Sequence, residues 1–129
     1  MTLTLLDTSA LISIERSRGL LDEVVLDDDE PALSAITVAE LRVGVELGSG
    51  PNRKEREAFI SWIEQNVPTV PYDGEVAHAH AKLIAHCRRV GTQRSAYDLM
   101  IAATGSATGR TIVTLDRRGF ADLPNVRVR

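Results

Sequence analysis

The chain has 129 residues, 43% hydrophobic and 26% charged, with a formal net charge of −3 and a sequence pI of about 5.6. That composition fits one globular domain with a sizeable core, and the acidic balance excludes a protein that adheres to nucleic acid through a general basic footprint. Cys87 is the single cysteine, which excludes an internal disulfide framework and fits a reducing compartment, so the cytoplasm is the expected location.

No apolar run is long enough to span a bilayer, and the opening residues lack the basic and apolar regions of a secretory leader; neither membrane contact nor export is expected. Lys54 and Lys82 are the only lysines. The remaining basic residues are arginines, which suit two-pronged recognition of phosphate or carboxylate.

Thr2-Leu3-Thr4-Leu5-Leu6 is a β-prone run that ends at Asp7. Asp7, Thr8 and Ser9 are all cap residues, and Leu11, Ile12, Ile14, Leu20 and Leu21 follow on helical segments, so the opening is strand, turn, helix. Asp27-Asp28-Asp29-Glu30-Pro31 reads as a solvated acidic loop. Ala32 to Ile36 reads as a second strand. Thr37-Val38-Ala39-Glu40 has capping-box spacing, and its helix carries Val38, Leu41 and Val45 at core spacing. Gly48-Ser49-Gly50-Pro51 breaks it. The next helix places Ala58, Phe59, Trp62 and Ile63 on one stripe, and Val67 to Pro71 reads as a short edge strand because proline lacks a ladder donor.

Asp73 or Gly74 opens a long helix with Val76, His80, Leu83, Ile84 and Cys87 on one face, and Gly91 ends it. Ser95 then caps a helix whose run Leu99-Met100-Ile101-Ala102-Ala103 is apolar on most sides, which places it in the middle of the domain. That helix ends near Gly105 to Gly109; Thr111 to Leu115 is the clearest strand, closed by Asp116, and Val126 to Val128 reads as a last edge strand. Alternating strands and helices with short connections argue an α/β three-layer sandwich with a mainly parallel central sheet, forming a single domain over residues 1–129.

Four acids fall at the ends of these elements. Asp7 ends the first strand, Glu40 follows the second in the first helical turn, Asp98 lies in the first turn of the apolar helix, and Asp116 follows the clearest strand. Ligands of open α/β sheets bind beyond the carboxyl ends of the strands, so all four can share one edge. Clustered carboxylates repel and raise one another's pKa values; a divalent cation removes the conflict, and oxygen-only ligation suits Mg²⁺ or Mn²⁺. Each acid also has a plain capping role available. Asp7 and Asp98 can serve helix N-termini, Glu40 can answer Thr37, and Asp116 can open the turn into Arg117-Arg118-Gly119.

The ordered set resembles the PIN-domain ribonucleases, and in size and order the VapC-type toxins of bacterial toxin–antitoxin pairs. The residues that carry the likeness are Leu6-Asp7-Thr8-Ser9; Ser34 to Glu40-Leu41; Asp98-Leu99-Met100-Ile101-Ala102-Ala103; and Thr114-Leu115-Asp116 with Phe120. The resemblance implies a PIN-like fold and a Mg²⁺- or Mn²⁺-dependent endoribonuclease with Asp7, Glu40, Asp98 and Asp116 as catalytic and metal-holding residues. Ser9 and Thr114 would support them. It also implies an RNA substrate, a homodimer, and control by a small VapB-like antitoxin. Many relatives carry a further acid just after the position of Asp116, where this chain has Arg117, Arg118 and Gly119.

Other signals are weaker. His78, His80 and His86 lack zinc-site spacing; His80 falls on the apolar stripe and reads as a satisfied, half-buried histidine. Cys87 reads as a small core residue. Gly105 to Thr111 lacks the lysine of a phosphate-binding loop and precedes a strand instead of following one. Arg94, Arg117 and Arg118 can line a substrate path or simply face solvent. Two further functions compete: a receiver-like phosphoacceptor domain, which wants paired acids after its first strand and a lysine after a late one, and a non-catalytic acidic binding module.

Overall fold

A computed structural model describes residues 1–17 and 24–129. Four strands form one sheet in the order β3-β2-β1-β4: β1 (Thr2–Leu6), β2 (Asp29–Ser34), β3 (Thr69–Val70) and β4 (Thr111–Val113). Every ladder is parallel. The described helices are α1 (Thr8–Ser17), α2 (Ala35–Leu47), α3 (Gly50–Asn66), α4 (Gly74–Val90) and α5 (Ala96–Thr108), followed late by a short 3₁₀ turn at Arg117–Gly119. Leu20 and Leu21, read above as helical, lie outside the described residues.

The register explains the layering. Leu5 pairs with Ala32 and Ile112, and Leu6 pairs with Leu33 and Val113. Successive side chains of a strand point to opposite faces, so each trio lines one face of the sheet. Leu5, Ala32 and Ile112 join a core with Val76, Leu83 and Cys87 of α4 and Leu99 and Ile101 of α5. Leu6, Leu33 and Val113 join the other core, with Leu11 of α1, Leu41 and Val45 of α2, and Ile60 and Ile63 of α3. The result is the three-layer α/β sandwich. Each fully buried Leu or Ile contributes roughly 1.5–3 kcal/mol, so both faces are strongly specified.

Several element boundaries differ from those read in the sequence. The second strand stops at Ser34, because the Ser34 hydroxyl accepts from the Ile36 N–H and starts α2 there. Thr37 is therefore inside the helix, fully buried, and its hydroxyl has no protein partner. The acidic run is not a solvated loop throughout. β2 begins at Asp29, whose side chain is only 2% exposed and accepts two bonds from the Arg129 guanidinium, at 2.9 and 2.5 Å. On α3 the buried stripe is Ile60 and Ile63, continued by Val67, one position round from the stripe expected; Phe59 is half-buried, Ala58 exposed and Trp62 48% exposed. β4 ends at Val113, two residues early. Thr114 and Leu115 leave the ladder because their N–H groups go to Arg129 O and Ser9 Oγ.

Other expectations hold. Asp73 caps α4 by accepting from Val76 N, and α4 stops at Gly91 in the left-handed region at φ 73°. His80 is half-buried and its Nδ1 meets the Tyr72 hydroxyl at 2.7 Å; burial lowers its pKa. Residues 127–129 lie parallel to β4 through an Ile112–Val128 bridge. Among the described residues, no helix is long and apolar enough to cross a membrane.

Candidate active site

Asp7 is the hub. The β1–β4 ladder runs one step past the strands, since the Asp7 N–H donates to Val113 O at 3.1 Å. This seats Asp7, 5% exposed, beside Thr114. Asp7 Oδ1 accepts from Ala10 N at 2.9 Å, so the residue does cap α1, and it accepts from Ser9 Oγ at 2.7 Å as well. Asp7 Oδ2 accepts from Thr114 Oγ1 at 2.5 Å. A carboxylate offers about four lone-pair positions. Three are spent here, which leaves one, on Oδ2, for an outside ligand. Ser9 and Thr114 are themselves tied: their hydroxyls are 3.2 Å apart, Ser9 Oγ accepts from Leu115 N, and Thr114 Oγ1 accepts from Asp116 N.

Glu40 lies in the second turn of α2, not the first, because the helix begins at Ala35. The capping-box role is therefore gone: Ser34 is the cap and Thr37 is not. Its Oε1 instead accepts from Thr8 Oγ1 at 2.8 Å, across from the first turn of α1. Thr8 had no assigned part in the sequence reading beyond a possible cap. Its place between Asp7 and Ser9 was the available signal.

Asp98 sits in the first turn of α5, and its own N–H reaches the Ser95 hydroxyl at 3.4 Å. Its carboxylate accepts no hydrogen bond from any described residue, so it is not the reciprocal half of a capping box. Instead it faces the 3₁₀ turn: a Cβ built on Gly119 would stand 2.7 Å from Asp98 Oδ2. Asp116 precedes that turn, exposed, and makes no side-chain cap; its nearest cation is Arg118 Nε at 3.5 Å.

The electrostatics tie these acids together. The Asp98 pKa is raised, first by burial and then by the charges of Asp7 and Asp116. The Glu40 pKa is raised by burial and by the charges of Asp98 and Asp7, against a lowering from the Thr8 hydrogen bond. Arg94 pulls Asp98 the other way. Among the described residues, no three acidic, histidine or cysteine side chains stand as a ready-made cage for one metal ion. The donor chemistry nonetheless fits a hard divalent cation: carboxylate oxygens only, one free position on Asp7, and half-buried acids whose mutual repulsion a cation would relieve.

Comparison with known proteins fixes the family. The PIN domain profile matches residues 4–126. Ribonuclease VapC4 of Mycobacterium tuberculosis is 34% identical over 124 residues, covering 96% of this chain and 93% of that protein. A tRNA(fMet)-specific endonuclease VapC of Salmonella typhimurium is 30% identical over 128 residues, covering 96% and 94%. Among solved structures, the DNA-bound VapBC of Salmonella typhimurium superposes with a TM-score of 0.82 at 27% identity, over 100% of this chain and 98% of that one. The chain belongs to the PIN-domain family, and within it to the VapC-type ribonucleases.

Proposed function

We propose that this protein is an endoribonuclease acting as the toxin of a type II toxin–antitoxin pair, with a Mg²⁺- or Mn²⁺-dependent site formed by Asp7, Glu40, Asp98 and Asp116. The observation that carries the site assignment is the meeting of acids from four separate segments, with Glu40 and Asp98 both raised first by burial and then by the charges of neighbouring acids. Family membership supports the activity. A receiver-like phosphoacceptor has no support: Asp7 is followed by Thr8 and Ser9, which hold Glu40 and Asp7.

A bound divalent cation would offset the acids' charge and lower the pKa of water at the site. The chain's own groups do the rest. Ser9, Thr114 and the Ala10 N–H fix Asp7 in one orientation with a single lone pair presented. Thr8 fixes Glu40. Glu40 or Asp98, with raised proton affinity, takes a proton from the attacking water. Water oxygen bonds to phosphorus as the bond to the 3′-oxygen breaks, and the departing 3′-oxygen takes a proton from solvent water, so that the products are a 5′-phosphate and a 3′-hydroxyl. Arg117 and Arg118 are exposed beside Asp116 and suit the flanking phosphates.

Regulation by a VapB-like antitoxin and assembly as a homodimer follow from the same family reading. A groove lined by Ile14, Phe59 and Trp62, with the Arg56–Glu15 ion pair at 2.9 Å, is the apolar surface of α1 and α3 suited to the antitoxin. The test of the enzyme is cleavage of a labelled RNA with Mg²⁺, with Mn²⁺ and with chelator. Activity is expected only with metal, and Asp98→Asn is expected to lose most of it while remaining folded. Wild-type cleavage by Asp98→Asn, or equal cleavage in chelator, would overturn the site assignment.

A further inference from the structure

Arg94, in the connection between α4 and α5, is not a free surface cation. Its Nη1 donates to Arg118 O at 2.6 Å and its Nη2 donates to Ala121 O at 2.6 Å. Those two carbonyls bracket Gly119 and Phe120. Phe120 is 2% exposed and belongs to the core beneath α4 and α5, so the segment is anchored from inside by a ring and from outside by a guanidinium. Both prongs of the arginine are committed to main chain, a geometry that a planar fork holds and a lysine cannot reproduce.

Between these anchors, Gly119 presses on Asp98. Gly119 is not among the positive-φ glycines, so its backbone conformation is open to any residue. What a side chain there would meet is the Asp98 carboxylate, with Oδ2 at 2.7 Å and Cγ at 3.2 Å from a built Cβ. Asp98 has no hydrogen-bond donor of its own among the described residues. Its orientation therefore depends on packing against this turn, whereas Asp7 and Glu40 are oriented by hydroxyls.

We propose that Arg94 is a positioning residue: it fixes the segment from Asp116 to Ala121 through two main-chain carbonyls, and so sets Gly119 against Asp98 and decides where the Asp98 carboxylate points. This rests on the reading of Asp98 as a site residue. A direct contact between Arg94 and an RNA phosphate is the competing role, since the two carbonyls take only two of the five N–H donors of the guanidinium.

The test uses Arg94→Lys, which keeps the charge and loses the fork, and Gly119→Ala, which adds one methyl group where Asp98 must give way. Mn²⁺ affinity is measured by calorimetry without RNA, and cleavage of a labelled RNA is measured over substrate concentration. Each variant is expected to lower kcat roughly 10- to 100-fold, as an ångström-scale misplacement does. KM is expected to stay within about twofold, and Mn²⁺ binding to weaken. In an Asp98→Asn background, neither substitution is expected to weaken Mn²⁺ binding further, because both act through the same carboxylate. Should Arg94→Lys fail to fold, Gly119→Ala carries the test, since the atom it displaces is the end of one side chain. A raised KM with unchanged kcat and Mn²⁺ affinity in Arg94→Lys would overturn the proposal in favour of an RNA contact. Equal losses with and without the Asp98 carboxylate would overturn it too. If Asp98→Asn alone leaves Mn²⁺ affinity and cleavage at wild-type levels, the underlying site reading fails instead.

Discussion

Removing different acids from one repelling cluster should move stability in opposite directions, and the structure says which way each goes. In metal-free protein, Asp7→Ala removes the cap of α1, worth about 1 kcal/mol. It also strips acceptors from the Ser9 and Thr114 hydroxyls, one at 2.7 Å and one at 2.5 Å from a 5%-exposed carboxylate. Those lost bonds add about 1–3 kcal/mol. The repulsion relieved is with Asp98 and Glu40, both half exposed, and solvent screening limits it to about 1 kcal/mol in all. The net loss is about 1–3 kcal/mol. An unfolding entropy of about 0.27 kcal/mol/K for 129 residues converts this to a Tm fall of about 4–11 °C. Asp98→Asn costs no carboxylate hydrogen bond and removes the charge opposed by burial, Asp7 and Asp116. Because its folded pKa is raised, ionised Asp98 opposes folding once pH exceeds the unfolded value, and fully so above the folded one. Asp98→Asn should therefore raise Tm at pH 7 in chelator, and the gain should vanish as pH falls to the unfolded carboxylate range. The assay is a thermal melt with EDTA at pH 7.5 and about pH 4. A metal-free Asp7→Ala protein that melts at or above wild type, or an Asp98→Asn protein that melts lower at pH 7.5, would refute this division of roles.

Two further outcomes follow. Asp29 is held below the ordinary carboxylate range chiefly by its hydrogen bonds with Arg129, so this pair contributes stability above the unfolded pKa that is lost as pH falls through the folded one; Arg129→Ala should cost about 1.5–3 kcal/mol at pH 7 in urea unfolding and flatten the acid limb, and an unchanged midpoint would show that the pair carries nothing. Trp62 is 48% exposed, so Trp62→Ser should cost the monomer only about 1–2 kcal/mol and leave it folded while weakening co-purification with a co-expressed antitoxin; undiminished capture would place the antitoxin elsewhere.

How legible the site was depended on whether an acid's neighbours were neighbours in sequence. Asp7 announced itself through Thr8 and Ser9 beside it; it caps α1, and its charge acts on both Asp98 and Glu40. Capping and function were posed as rivals, yet a carboxylate with several lone pairs can serve a helix N-terminus on one oxygen and leave the other partly free. For Glu40 the capping role was removed by a boundary. Ser34 and Thr37 are both good caps, and local pattern cannot choose between them. The choice was made by the sheet, which needs Leu33 paired with Leu6 and releases the chain straight afterwards. That shift moved Glu40 to the second turn, where the distant Thr8 hydroxyl is its hydrogen-bond partner among the described residues. The stripe on α3 failed for a related reason: Phe59, Ile60, Trp62 and Ile63 satisfy two adjacent helical faces, and packing against Leu6, Leu33 and Val113 selected the aliphatic one. It left Trp62 outside, where periodicity would have buried it. The grip of Arg94 on Arg118 and Ala121 was illegible altogether, since it binds main-chain carbonyls, which every residue carries and no sequence distinguishes.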